Sequence, residues 1–295
     1  MTLVRNYDAA SAERGAFAHL GSLFRYPTLV WRNRFMVQNF LRRDLMSRVN
    51  GSILGIGWIL LQPMFLFAIY FLVFGVLLRD RNVTSQGSGE FAIYLFSGVI
   101  VFHALTEATT QACTTIVDNG NLVKKVAFPS EALLVHIAIV SLVIYMVGAL
   151  VCFIAGLCFG VLSPGWLLLA WPLVLAVQFT LTLGIGLFLA NLYVFVRDTA
   201  QLWRILTMAW MFLSPVFWDT KLLHDKASPE AATWIMALNP AFPLLQVHRL
   251  VLGGPEAALG PFWSQLGIAA AWAVGFLVVG YSLFMSRKHR YSDLI

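Results

Sequence analysis

The chain has 295 residues, 59% of them hydrophobic and only 12% charged, with a mean hydropathy of +0.78. Soluble domains carry roughly 25% charged residues, so a sizeable soluble domain is excluded. A net charge of +6 would suit a nucleic-acid partner in a soluble protein; in so apolar a chain the placement of the cations matters more than their sum.

Residues 1–50 read as a cytoplasmic segment. A basic start followed by a short apolar core and a cleavage site is missing, so it is not a signal peptide. Within it, residues 27–49 predict an amphipathic helix lying along the inner membrane surface. Val30, Val37, Leu41 and Leu45 share one face with Leu29, Met36 and Phe40 alongside, while Arg32 and Arg43 point away. Arg34, Asp44 and Arg48 fall on the apolar side, against the pattern. Such a helix either fixes topology alone or also docks a partner.

Residues 51–286 read as a membrane domain with spans at about 53–78, 91–117, 131–162, 166–196, 199–218 and 259–285. Each meets the requirement of about 20 apolar residues per bilayer crossing. Ser163-Pro164-Gly165 divides the third from the fourth, since Pro ends a helix and Gly permits reversal. The apolar stretch at about 231–250 is broken by Asn239-Pro240 and Pro243. Fifteen of the twenty Lys and Arg residues fall in the N-terminal segment, around Lys124 and Lys125, at Arg197 and Arg204, and in the tail with Arg287, Lys288 and Arg290. A seventh crossing would put that tail outside, against the positive-inside bias. The stretch therefore reads as a re-entrant or outer helical pair between helices five and six, or as a buried interfacial loop. Both termini are expected in the cytoplasm, with residues 287–295 as a cytoplasmic tail. The expected fold class is thus all-α integral membrane: six spans, an N-terminal interface helix and the re-entrant pair.

Chemistry-bearing motifs are few. The phosphate-binding loop G-x-x-x-x-G-K-[ST] is missing, as are G-x-S-x-G and H-E-x-x-H. Cys113, Cys152 and Cys158 lie in predicted spans without metal spacing and read as small apolar residues. No metal site or cofactor is expected on this chain. The sharpest buried polar signal is His103 with Glu107, four apart on one helix face. An ionised carboxylate at mid-membrane costs roughly 2.5–3.5 kcal/mol and needs a partner or water. The pair reads as groups facing a hydrated interior or a neighbouring helix; a proton relay is the alternative, for which His136, the other titratable candidate in a span, is too solitary. Aromatic residues make up 14% of the chain. Phe67, Tyr70 and Phe74 form one stripe, and Trp203, Trp210 and Phe217 step by seven along the fifth span. Such stripes either pack helices or offer ring faces to a sugar chain.

With these segments laid out, the chain resembles the permease subunits of ATP-binding-cassette exporters for bacterial surface polysaccharides: the O-antigen (lipopolysaccharide), capsule and teichoic-acid exporters. The resemblance rests on Arg42-Arg43-Asp44-Leu45 with Arg48, then Leu54-Gly55, Trp58, Gln62-Pro63 and Phe74-Gly75. It continues through Asn121-Leu122-Val123-Lys124-Lys125-Val126 with Phe128-Pro129, then Arg197-Asp198, Ser214-Pro215-Val216 and Leu238-Asn239-Pro240. It implies a homodimer working with two copies of a separate ATPase that binds ATP and Mg, moving a lipid-linked polysaccharide across the cytoplasmic (inner) membrane. It implies ATPase coupling through Asp118, Asn119, Asn121, Lys124, Lys125 and Phe128 and through Arg42 and Arg43. It implies a substrate path along Phe67, Tyr70, Phe74, Trp203, Trp210 and Phe217. The chain itself is then a transport subunit and no enzyme. An exporter of a smaller lipid or drug, or a proton-coupled transporter using His103 and Glu107, is the alternative. A membrane glycosyltransferase is disfavoured, because no loop carries an acidic or metal-binding cluster.

Overall fold

A computed structural model describes residues 20–48, 51, 54–55, 57–77, 88–125, 129–218, 236–254 and 260–295. Among these residues the structure is helical without strands.

The N-terminal segment forms a turn, α1 (Leu20–Leu23), and two helices, α2 (Tyr26–Arg32) and α3 (Arg34–Ser47). The expected single interface helix is therefore broken at Asn33, whose φ of −101° and ψ of 17° leave the helical region. The break is stabilised locally: both the backbone N–H and the side-chain amide of Asn33 donate to the Leu29 carbonyl, at 3.2 and 2.8 Å. Asn competes well for backbone groups and so ends helices.

Helix α4 (Gly57–Tyr70) runs on into a π-helical stretch, Phe71–Leu77. Next come α5 (Ser88–Asp118), the short α6 (Gly120–Lys125) and α7 (Ser130–Cys158). A 3-10 turn, Trp166–Ala170, leads into α8 (Trp171–Phe195), followed by α9 (Thr199–Leu213), α10 (Ala241–Val251) and α11 (Phe262–Arg287). A 3-10 turn, Lys288–Arg290, and α12 (Tyr291–Leu294) end the chain.

Among the described residues, four helical stretches are long and apolar enough to cross a bilayer: Glu90–Asp118, Ser130–Cys158, Trp166–Phe195 and Phe262–Arg290. The protein is a multi-pass membrane protein. The expected fifth span at 199–218 is different. Its helix stops at Leu213 after 15 residues, about 22 Å of rise against a hydrocarbon core of about 30 Å. Helix α10, at 11 residues, rises only about 16 Å and does not span.

Two buried clusters stack along the bundle. One joins Phe96, Leu105, Tyr145, Leu181, Leu245 and Phe262 around α10. The other joins Tyr26, Val37, Ile116, Leu134, Leu187, Phe284 and Tyr291. The second cluster brings the N-terminal helices, the facing ends of α5 and α7 and the last turns of the chain to one end of the bundle. Helices α8 and α11 make the tightest crossing. A Cβ on Gly184 would meet the Leu277 Cα at 2.8 Å, and one on Gly280 would meet the Phe188 nitrogen at 3.1 Å. Small residues let backbones approach where lipid offers no hydrophobic drive for association.

Candidate functional site: a polar cavity at the interface helix

A cavity of about 650 Å³ opens between α3, α5 and α9, lined by Asp44, Ser47, Arg48, His103, Thr106, Glu107, Thr110, Gln111, Thr114, Arg204 and Thr207. Its wall is built by periodicity. His103, Thr106, Glu107, Thr110, Gln111 and Thr114 recur at spacings of three and four, so α5 turns one polar stripe toward α3. Thr106, Thr109 and Thr115 donate back to carbonyls one turn earlier at 2.8–3.0 Å, satisfying their hydroxyls without leaving the helix.

Two sets of polar contacts tie α3 to this wall. The Glu107 carboxylate accepts from Arg48 at 2.7 Å and lies 3.4 Å from His103 Nδ1. Asp44 Oδ2 accepts from Gln111 Nε2 at 3.1 Å and lies 3.2 Å from His136 Nε2, on α7. The His136 ring also stacks on Phe40 with centroids 5.2 Å apart. Asp44 and Arg48, misplaced for a helix facing only lipid, thus face charged and amide partners on α5 and α7. Arg34, the third misfit, covers the rings of Trp31 and Phe35 at 5.3 and 4.6 Å. His136 is therefore not solitary: Asp44, from α3, is its partner.

The expected substrate-path rings sit elsewhere. Phe67 meets Phe96 edge-on at 5.1 Å and stacks on Phe71. Tyr70 packs on the cluster around α10. The Trp203 indole donates to Thr109 Oγ1 at 3.1 Å, and the Trp210 indole donates to Asn239 Oδ1 at 2.8 Å. Phe217 lies 5.6 Å from Phe212. These five are half-buried against the cluster around α10, and none is among the residues lining the cavity. Only the backbone of Phe74 is described.

At the inner loop, Asp118 accepts from Thr114 Oγ1 at 2.6 Å, and the Asn119 side chain donates to the Thr115 carbonyl at 2.9 Å. What reads as a polar turn is the helix α6, with Asn121 and Lys124 exposed. For Lys125 only the backbone is described, and Phe128 lies outside the described residues. On α3, Arg42 is exposed, while Arg43 lies over the Phe40 ring at 4.6 Å and 3.8 Å from Asp44.

The stretch around Asn239 is a junction. Asn239 Oδ1 also accepts from the Ala241 N–H at 3.0 Å, and its amide donates to Ser214 Oγ at 3.0 Å. All residues of α10 are buried. Arg249, at its C-terminal end, lies over the Tyr94 ring at 3.5 Å and donates to the Tyr94 carbonyl at 3.2 Å. The sequence analysis missed Asp44, Gln111 and Arg249 as functional candidates. For Asp44 the signal was present: a carboxylate on the apolar face of an amphipathic helix.

Residues 37–252 match the ABC-2 type transporter family. The chain belongs to that family. Among curated proteins, this ABC-2 transporter permease is 26% identical over 266 residues to the O-antigen export system permease protein RfbA of Myxococcus xanthus, covering 90% of this chain and 97% of the relative. It is 21% and 20% identical over 258 residues to two such RfbA proteins of Klebsiella pneumoniae, covering 86% of this chain and 92% of each relative. The matched region takes in the cavity, α6 and the Asn239 junction, so the ABC-2 assignment covers the candidate site as well as the bundle.

Proposed function

We propose that this ABC-2 permease moves a lipid-linked bacterial surface polysaccharide across the cytoplasmic membrane, as one of two permease copies driven by a separate ATPase. The observation that carries this reading is the polar cavity, hydroxyl-lined, braced by ion pairs and open on one side of an otherwise apolar bundle. A sugar chain needs hydrogen-bonding walls and water at membrane depth, whereas a simple lipid or drug exporter needs neither. The end-to-end similarity to O-antigen export permeases supports the same substrate class.

In this reading α2 and α3 lie on the cytoplasmic face, with both termini cytoplasmic. Six segments enter the membrane, and the short α9 reaches the outer face together with the re-entrant α10. Helix α10 suits that role because irregular backbone at membrane depth requires surrounding protein, and every residue of α10 is enclosed. The exposed Asn121 and Lys124 of α6, with Arg42 of α3, present polar groups to the ATPase, which holds the ATP and Mg. The aromatic stripes of Phe67, Tyr70 and Phe74 and of Trp203, Trp210 and Phe217 would offer ring faces to the sugar chain along that path.

The test is deletion of the gene and complementation in the native host. Wild-type permease restores polysaccharide at the cell surface. Glu107→Ala combined with Arg48→Ala lowers it several-fold at equal protein level, since both side chains wall the cavity. Export in inverted membrane vesicles continues when the proton gradient is collapsed and stops without ATP. Continued export without ATP would return the assignment to a proton-coupled transporter.

A further inference from the structure

The inner loop between α5 and α7 is held from behind at both of its ends by the last eight residues of the chain. At its start, Gly120 is buried and lacks a positive φ, so no turn geometry demands glycine there. What stands close is a neighbour: the Ile295 side chain packs against Gly120 where a Cβ would be. At its far end, the Glu131 carboxylate, fully buried at the first turn of α7, pairs with Lys288 Nζ. The segment doing both is itself anchored. The Tyr291 hydroxyl donates to Asn191 Oδ1 on α8 at 3.0 Å, and its ring packs edge-on against Phe284 at 5.2 Å and Phe195 at 6.3 Å. A third hold comes from the N-terminal side, where the Tyr26 hydroxyl donates to the Glu131 carbonyl at 2.9 Å. Burial, then the nearby Glu131 carboxylate, raises the Tyr26 phenol well above its ordinary range, so it stays a donor.

We propose that Lys288 and Ile295 are positioning residues that clamp the loop carrying α6 onto α8 and α11, so that a push on the exposed Asn121 and Lys124 moves the bundle instead of bending the loop. The proposal rests on the reading of α6 as the ATPase contact. Its physical basis is that six residues of helix between two long spans form too few bonds to be stiff alone. A force is transmitted only where packing leaves one arrangement.

The experiment has two arms. In the first, hydrogen exchange of the purified full-length permease alone compares wild type with Ile295→Gly and Lys288→Met. Ile295→Gly sits at the end of the chain, where it spares the helix bundle if Lys288→Met assembles poorly. Amides of residues 119–125 are expected to exchange about tenfold faster in the variants, as in locally opened segments, while those of α8 keep wild-type protection. In the second arm, permease is purified with its ABC ATPase and assayed for export per ATP hydrolysed. Both variants are expected to retain the ATPase yet export several-fold less per ATP, and Lys288→Arg is expected to keep the wild-type ratio. Gly120→Ala with Ile295→Ala should be less damaging than the two single changes together predict. Unchanged loop exchange in both variants would overturn the clamp, and faster exchange with an unchanged export ratio would overturn its positioning role. A wild-type permease that retains no ATPase would overturn the exporter reading instead, and the exchange arm would still decide the clamp.

Discussion

Asp44 is the residue on which the seating of the interface helix depends. It faces His136 from α7, Gln111 from α5 and its own neighbour Arg43. The His136 side chain is 3% exposed and that of Asp44 15%, so water cannot replace either partner freely. Asp44→Ala leaves the buried His136 ring and the half-buried Gln111 amide without this partner, at a cost of about 1–3 kcal/mol. The expected outcome is a lower unfolding temperature in detergent together with faster hydrogen exchange in α3. The Arg48–Glu107 pair is less shielded, each side chain being 33% exposed. Arg48→Ala should change stability by about 1 kcal/mol or less, and its effect belongs to transport. Measuring both variants side by side separates the residue that holds the helix from the residue that walls the cavity.

Helix α11 owes its seat on α8 to two glycines. Gly184 and Gly280 meet backbone on the opposite helix, which cannot retreat as a side-chain tip can. Gly280→Leu should overpack this crossing at a cost of about 1–3 kcal/mol or more. The expected readout is loss of the monodisperse peak after detergent extraction. Gly275, on the same helix, meets nothing within 4 Å, and Gly275→Ala should behave as wild type. If both substitutions were tolerated equally, the close crossing would not be what holds α11. Helix α10 is held differently. Asn239 bonds the α9 end through Trp210 and Ser214 and starts α10 through Ala241, so the Asn-Pro pair that reads as an interruption in the sequence is the joint between two elements.

At the scale of the whole molecule, the first described helices and the last turns of the chain meet at one end of the bundle. The Tyr281 hydroxyl donates to the Ser22 carbonyl at 3.3 Å, and the Tyr26 and Tyr281 rings lie 5.2 Å apart. Residues near both ends of the chain therefore occupy one side of the bundle, in keeping with an even number of crossings. Reporters fused to each terminus, one active only in the cytoplasm and one only outside it, should both score as cytoplasmic. A C-terminus scored as external would overturn the proposed topology.

Hydropathy and charge bias along the chain sufficed for the all-helical membrane class, the four long spans and the division at Ser163-Pro164-Gly165, because transfer of a helix into lipid is close to a sum over its own residues. The same local signals marked Glu107 as needing a partner and Asp44 as out of place. They did not supply the partners. Arg48 and Glu107 are 59 positions apart, His136 and Asp44 are 92 apart, and Lys288 and Glu131 are 157 apart. None of these separations has a helical period to betray it. Nor did periodicity place the aromatic stripes, since a ring facing a packed helix and a ring facing a water-filled path share the same spacing. The partners of these charges and rings were decided only by tertiary structure, because a buried charge or ring is satisfied by whatever helix packs against it, and which helix that is depends on the whole bundle.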